Sequence, residues 1–183
     1  TGFALCAGAL LLANVNVLPL AKAEWLRDAH AMEQQADKML NAQAERLENY
    51  PELRARIVEH IEETRWQRSV LEECMARRGI SNSVIKDLGA KLTAFGQAVG
   101  GMTSSDEVVK GAMAGYVFEH FEISSYTSLI AAAGAAGDTA TASACEQILA
   151  QEKAMAAWLM DHLPQVTQAF LARSATPGVE AKV

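Results

Sequence analysis

Four long stretches of this chain carry apolar residues at helical spacing, and each has a glutamate in or beside the face that should form the core. At about 100° per residue, the first stripe is Trp25, Ala29, Met32, Ala36 and Leu40, with Glu33 inside it and His30 and Gln34 projecting outward. The second is Leu53, Ile57, Ile61, Thr64, Leu71 and Met75, edged by His60, Glu63 and Gln67, which can converge on one point. The third runs through Phe118, Phe121, Ser125 and Leu129, with Glu122 in its middle and Glu119 one turn back on its flank. The fourth joins Met155, Leu159 and Leu163, flanked by Leu149 and Ala156, around a central Glu152.

An isolated ionised carboxylate inside a bundle costs many kcal/mol or gives up its charge, so buried acids are expected to be paired or to coordinate a cation. One such acid alone reads equally well as a stripe drawn slightly wrong, with its carboxylate reaching solvent. Joint occurrence on four helices makes a cation the simpler account. Carboxylates with one or two imidazoles suit iron or manganese, with zinc the commoner contaminant. The three cysteines lie on separate segments, so no thiolate set offers itself for structural zinc or an iron–sulfur cluster.

Other polar residues receive plainer readings. Glu59 and Glu62 project outward as solvated helix charges. His120 lies on the opposite side of its helix from Glu122 and suits a surface or a dimer contact. Tyr126, one turn beyond Glu122, is either a hydrogen-bond partner of that carboxylate or a core tyrosine satisfied elsewhere.

The punctuation between stripes sets the architecture. A first helix is expected over 22–47, stopped by Asn49-Tyr50-Pro51, and a second over 51–78, stopped by Gly79. Ser81-Asn82-Ser83 opens a shorter segment to Val99, and Gly100-Gly101 closes it. A third long helix follows over 105–135, Gly137-Asp138 makes the turn, and a fourth spans 139–162. Pro164 then kinks that helix or opens a final short one to Arg173. Two helical hairpins joined by a longer connection make an all-α four-helix bundle with a crossover segment and a short additional helix, the one-crossover layout of ferritin-like folds.

Residues 1–21 are set apart as an apolar segment. It ends at Ala21-Lys22-Ala23, a pattern like a signal-peptidase site, yet no Lys or Arg precedes it and Asn14 and Asn16 interrupt it. It is either an export signal or an over-extended start, and its polar breaks argue against a stable membrane anchor. The bundle is expected over 22–173 and a frayed tail over 174–183. A net charge of −6, with no cluster of Lys and Arg, argues against nucleic acid as a partner. Cys6, Cys74 and Cys145 are odd in number and sit in apolar stretches, which fits a reducing compartment such as the cytoplasm.

Met32-Glu33-Gln34-Gln35, Glu59-His60-Ile61-Glu62-Glu63-Thr64, Glu119-His120-Phe121-Glu122-Ile123 and Gln151-Glu152-Lys153, in this order, resemble the YciE/YciF family of bacterial stress-associated proteins. The likeness covers about 23–163, and the second and third strings are specific mainly in combination. It implies a five-helix ferritin-like domain, often a homodimer, with a dinuclear site for two metal ions, iron first and manganese or zinc as alternatives. By position, Glu33 would be the ligand from the first helix, Glu63 a bridging acid from the second, Glu119 or Glu122 the ligand from the third, and Glu152 that from the fourth. The chain departs from the widespread pattern of Glu-x-x-His on two helices, because Trp66 follows Glu63 and Met155 follows Glu152 at that spacing. His60 can take the vacant place from the other direction, and Gln67 can serve as a weak or outer ligand.

Two functional expectations follow. One is a di-iron carboxylate protein that handles iron with oxygen or peroxide in a stress response, with ferroxidase-like turnover. The other is a non-catalytic dimeric stress or interaction protein that keeps a degenerate metal site. Storage in a hollow shell is disfavoured, since nothing in the sequence identifies cage-forming contacts.

Overall fold

The structure is a computed structural model, and it describes residues 18–81 and 105–181. Four helices make up its regular structure: α1 (Leu18–Ala44), α2 (Pro51–Arg77), α3 (Glu107–Ala135) and α4 (Thr139–Ser174), with no strand among the described residues. The expected crossover over 83–99, the segment before residue 18 and Cys6 lie outside the described residues.

Local chemistry explains where the helices begin and end. Pro51 opens α2, where its missing N–H would have had no partner, and Glu52 and Arg77 place opposite charges at the ends of the helix dipole that favour them. Gly79 and Gly137 adopt φ of 63° and 68°, the left-handed conformation that stops α2 and α3. Asp138 caps α4 by accepting from the Thr141 backbone N–H at 3.1 Å.

Residues beyond Pro164 continue α4 to Ser174, so they form no separate short helix. A proline inside a helix costs about 3 kcal/mol. Here the far side of the helix still buries Val166 and packs Phe170 against the core, which offsets that cost. Beyond the helix, Arg173 Nη2 donates to the Glu180 carbonyl at 2.8 Å and the Tyr50 hydroxyl donates to the Ala181 carbonyl.

Helices α1 and α2 form one hairpin and α3 and α4 the other, with α1 against α3 and α2 against α4 closing the square. Ser81, just past α2, accepts from Arg27 near the start of α1, whereas Glu107 at the start of α3 pairs with Arg46 just past the end of α1. The Arg78 to Asp138 ion pair joins the far ends of α2 and α3. Helices α2 and α3 therefore run in the same direction, the relation that a one-crossover bundle requires. No described helix is long and apolar enough to cross a membrane.

Burial corrects two of the four stripes. The α2 stripe is buried as expected, and so are Met155, Leu159 and Ala156 on α4. On α1 the core face is Leu26, Ala29, Met32, Glu33, Ala36 and Leu40, while Trp25 is exposed. On α3 it is Val108, Ala112, Phe118, Glu119, Glu122, Tyr126 and Leu129, with Phe121 exposed. Both errors share a cause: a large aromatic was counted into a buried face that its neighbour in sequence, Leu26 or Glu122, in fact occupies. His30, expected outside, is buried against α2, where Glu72 holds it at 2.9 Å.

Candidate metal centre

All four helices send polar side chains into one layer midway along the bundle. His60 from α2, Glu119 and Glu122 from α3, and Glu152 from α4 are all buried, and one ligand atom from each lies within 4.8 Å of the other three. The i, i+3 spacing of Glu119 and Glu122 puts both carboxylates on the face of α3 that turns inward. His60 and Gln67, expected along the edge of α2, are in the core, and of that trio Glu63 alone stays partly open to solvent.

Glu33 completes the layer from α1. Its Oε1 accepts from the Tyr126 hydroxyl, so Tyr126 serves Glu33 rather than Glu122. Glu152 Oε1 accepts from Gln67 Nε2, whose other contact is Gln151 Oε1 at 3.1 Å. After these bonds, Glu33 Oε2, Glu119 Oε2, Glu122 Oε1 and Glu152 Oε2 remain buried without a hydrogen-bond donor. Each, when its carboxyl is ionised, concentrates negative charge, and such atoms are costly in a protein interior unless a proton or a cation meets them.

His60 faces both ways. Its Nε2 lies 3.3 Å from Glu119 Oε2 and 3.5 Å from Glu152 Oε2, ion-pair distances without good hydrogen-bond geometry. Its Nδ1 lies 2.7 Å from Glu63 Oε2, which also accepts from Arg56 Nη1 and Nη2 at 3.2 Å each. Glu63 thus sits outside the inner group of four, between His60 and a guanidinium. Arg56 was not singled out by sequence, although its spacing of four and seven residues from His60 and Glu63 is the signal that could have found it.

Protonation follows from this crowding. Burial pushes the Glu33 carboxyl up to about 8, against the Tyr126 hydrogen bond that pulls it down. Burial, then the charges of Glu152 and Glu33, hold Glu122 well above the usual carboxylate range. Glu152 is raised by burial and by Glu33 and Glu119. Burial alone would lower the His60 imidazole, but its Glu119 and Glu63 partners outweigh that and lift it to about 9. Burial would raise Glu63, yet His60 and Arg56 hold it below its ordinary value. Protons and a bound cation are therefore alternative ways of balancing the charge of this layer.

The donor set fits a hard divalent cation. It offers four carboxylates and one imidazole, with four oxygens unclaimed, and no sulfur ligand in the group. Glu59 and Glu62 are exposed and form surface pairs with Arg56 and Arg65, as solvated charges should. His120 is exposed, packed edge-on against Tyr116. His162 stacks on Trp158 at 3.9 Å and lies outside the metal-ligand group.

Known proteins agree with this architecture. A protein from Xanthomonas campestris pv. campestris has a crystal structure that is similar with a TM-score of 0.74, at 38% identity over 87% of this chain and 99% of that one. The E. coli stress protein YciF has the same fold, with a TM-score of 0.73 at 21% identity, covering 80% of this chain and 94% of YciF. YcfI from Rhodopseudomonas palustris gives a TM-score of 0.63 at 25% identity, over 74% of this chain and 87% of that one. The resemblance to YciE/YciF proteins is borne out. Residues 23–172 match a domain family described only as being of unknown function, DUF892, and the chain belongs to that family.

Proposed function

We propose that the buried layer binds two divalent metal ions, iron in the first instance, and that the protein handles ferrous iron with oxygen or peroxide. One observation carries the reading: four fully buried carboxylates, each with an unpartnered oxygen, surround one imidazole. Four ionised carboxylates and a neutral imidazole sum to a charge that two divalent cations cancel and one does not. Glu33, His60, Glu119, Glu122 and Glu152 would hold the ions, with Glu63 beside them. A redox-active metal bound there supplies the electron that an oxidant takes up. The protein's own residues do the rest: the apolar neighbours exclude water, and Tyr126 and Gln67 each fix one carboxylate so that its second oxygen faces the layer.

The decisive measurement is an anaerobic ferrous titration of wild type and Glu152→Gln, with metal content read by elemental analysis. Wild type is expected to take up about two ions per chain and the variant fewer. Wild type that takes up neither iron nor manganese under reducing conditions overturns the reading.

A second reading has its own support. Trp66 and Met155 stand where imidazoles would follow Glu63 and Glu152, Gln67 caps Glu152 with a neutral amide, and YcfI is named as a putative structural protein. Metal would then hold the four helices together without turnover. Binding without ferrous oxidation on exposure to oxygen would favour it.

A further inference from the structure

We propose that Glu63 is not a metal ligand but the positioning carboxylate of an Arg56–Glu63–His60 relay, which presents the Nε2 atom of His60 to the metal. The inference rests on the metal-binding reading above and narrows it, since position in the chain alone would make Glu63 a bridging acid.

Hydrogen-bond directions carry the argument. Glu63 Oε2 receives both terminal nitrogens of Arg56, each at 3.2 Å, so this oxygen is an acceptor. An acceptor 2.7 Å from His60 Nδ1 requires that Nδ1 be the donor. In a neutral imidazole with its proton on Nδ1, the lone pair is on Nε2. That atom points at Glu119 Oε2 and Glu152 Oε2, two of the unclaimed oxygens of the layer. The His60 carbonyl accepts from Thr64 Oγ1 at 2.9 Å, a helix-internal bond that does not involve the ring.

Exposure separates the two roles. The inner carboxylates and the imidazole are essentially closed to solvent, whereas the Glu63 side chain is 23% exposed. Glu63 meets a cation from its own helix through Oε2, and neither of its oxygens is among the buried atoms without a partner that mark the other acids. Metal-bound histidines generally donate their second ring nitrogen to a carboxylate, and loss of that partner costs about 10- to 100-fold in metal affinity while the ligand count stays the same.

The test uses full-length protein loaded with Zn(II), a diamagnetic probe, in wild type, Glu63→Gln, Arg56→Gln and Glu122→Gln. Long-range proton–nitrogen correlation spectra report which ring nitrogen of His60 holds the metal, and competitive titration reports affinity and stoichiometry. Expected results are metal on Nε2 and a proton on Nδ1 in wild type. Glu63→Gln should keep the wild-type stoichiometry with affinity lower by about 10- to 100-fold, and Arg56→Gln should lose less. Glu122→Gln should lose stoichiometry, which calibrates what removal of a true ligand looks like. Metal on Nδ1, or loss of an ion in Glu63→Gln like that in Glu122→Gln, overturns the relay while leaving the metal site standing. Wild type that binds no Zn(II) overturns the relay, while the ferrous titration above separately decides the metal site. Because Arg56 and Glu63 lie at the rim, unchanged helical circular dichroism in both variants is expected and keeps the comparison clean.

Discussion

Ile148 and Glu152 lie one turn apart on the same face of α4, and both are completely buried. Ile148 belongs to an apolar core shared with Leu71, Cys74, Leu129 and Cys145. Glu152 belongs to the layer that holds Glu33, His60, Glu119 and Glu122. Apolar burial stabilises the fold in proportion to the area removed from water and does not depend on solution conditions such as pH. The acidic layer stabilises only when protons or cations balance it. Neighbouring turns of one helix thus divide the work: the apolar turns hold the bundle shut, and the acidic turn makes it responsive.

The contrast is tested most strongly by Ile148→Ala. Removing this side chain from a packed core should cost about 2–5 kcal/mol, and the loss should be the same at pH 6 and pH 8 and with or without Mn(II). Urea denaturation under those four conditions checks it. A loss that metal reverses would place Ile148 in the responsive layer and break the division.

Glu122→Gln should act in the opposite direction on the metal-free protein. Glu33 and Glu122 have folded-state pKa values raised above the ordinary carboxylate value, and His60 is raised above its own. The folded state therefore binds more protons than the unfolded chain between them. Stability from the acids is fully present below about pH 4.5 and is lost as the pH climbs through their folded values, about 8 for Glu33. The contribution of His60 is present below about 6.5 and is lost through about 9. Glu63, held low, works the other way and loses its contribution in acid. Metal-free wild type should accordingly weaken from pH 5 to pH 9, and Mn(II) should reverse that slope. Glu122→Gln replaces an acid raised by burial and by its neighbours' charges with a neutral amide, so at pH 8 its metal-free form should be more stable than wild type, with little added by Mn(II). A variant less stable than wild type at pH 8 without metal would mean that Glu122 is a structural member of an already satisfied network.

The two kinds of layer were also unequally legible in the sequence. Helix existence, the two hairpins and the stops at Pro51, Gly79 and Gly137 followed from composition and backbone chemistry, because these act locally. The α2 stripe was readable because Leu53, Ile57, Ile61, Leu71 and Met75 are of similar size and mark one axis. The α1 and α3 axes were misjudged because Trp25 and Phe121 are large apolar residues on the outside, and one sequence cannot say that a large aromatic is exposed. The acids were visible as breaks in a stripe. Their partners were not: Tyr126 to Glu33, Gln67 to Glu152 and Glu72 to His30 are contacts between helices, set by rotation and height that no periodicity encodes. At Pro164 the sequence left two alternatives open, a helix that continues and a new short one, and tertiary packing decides for continuation.

The smallest expected effect concerns Tyr126, where the two kinds of layer meet: an aromatic ring packed in the core with its hydroxyl on an acid. Tyr126→Phe keeps the ring and removes only the donor to Glu33 Oε1, which joins Oε2 as a buried oxygen without a partner. That hydrogen bond holds the Glu33 pKa down against burial, so without it the carboxyl should rise further above about 8. At pH 7 Glu33 is already protonated in the metal-free fold, and the loss should be near that of one buried hydrogen bond, about 1 kcal/mol. At pH 9, where wild-type Glu33 has begun to ionise, the penalty should be larger, because the lost donor served the charged form. Urea denaturation of metal-free wild type and Tyr126→Phe at both pH values measures the difference. A penalty equal at pH 7 and pH 9 would mean that the hydroxyl serves the protonated and the ionised carboxyl alike, and no penalty at either pH would mean that Tyr126 contributes only as an apolar residue, with the boundary between the two layers on the far side of its hydroxyl.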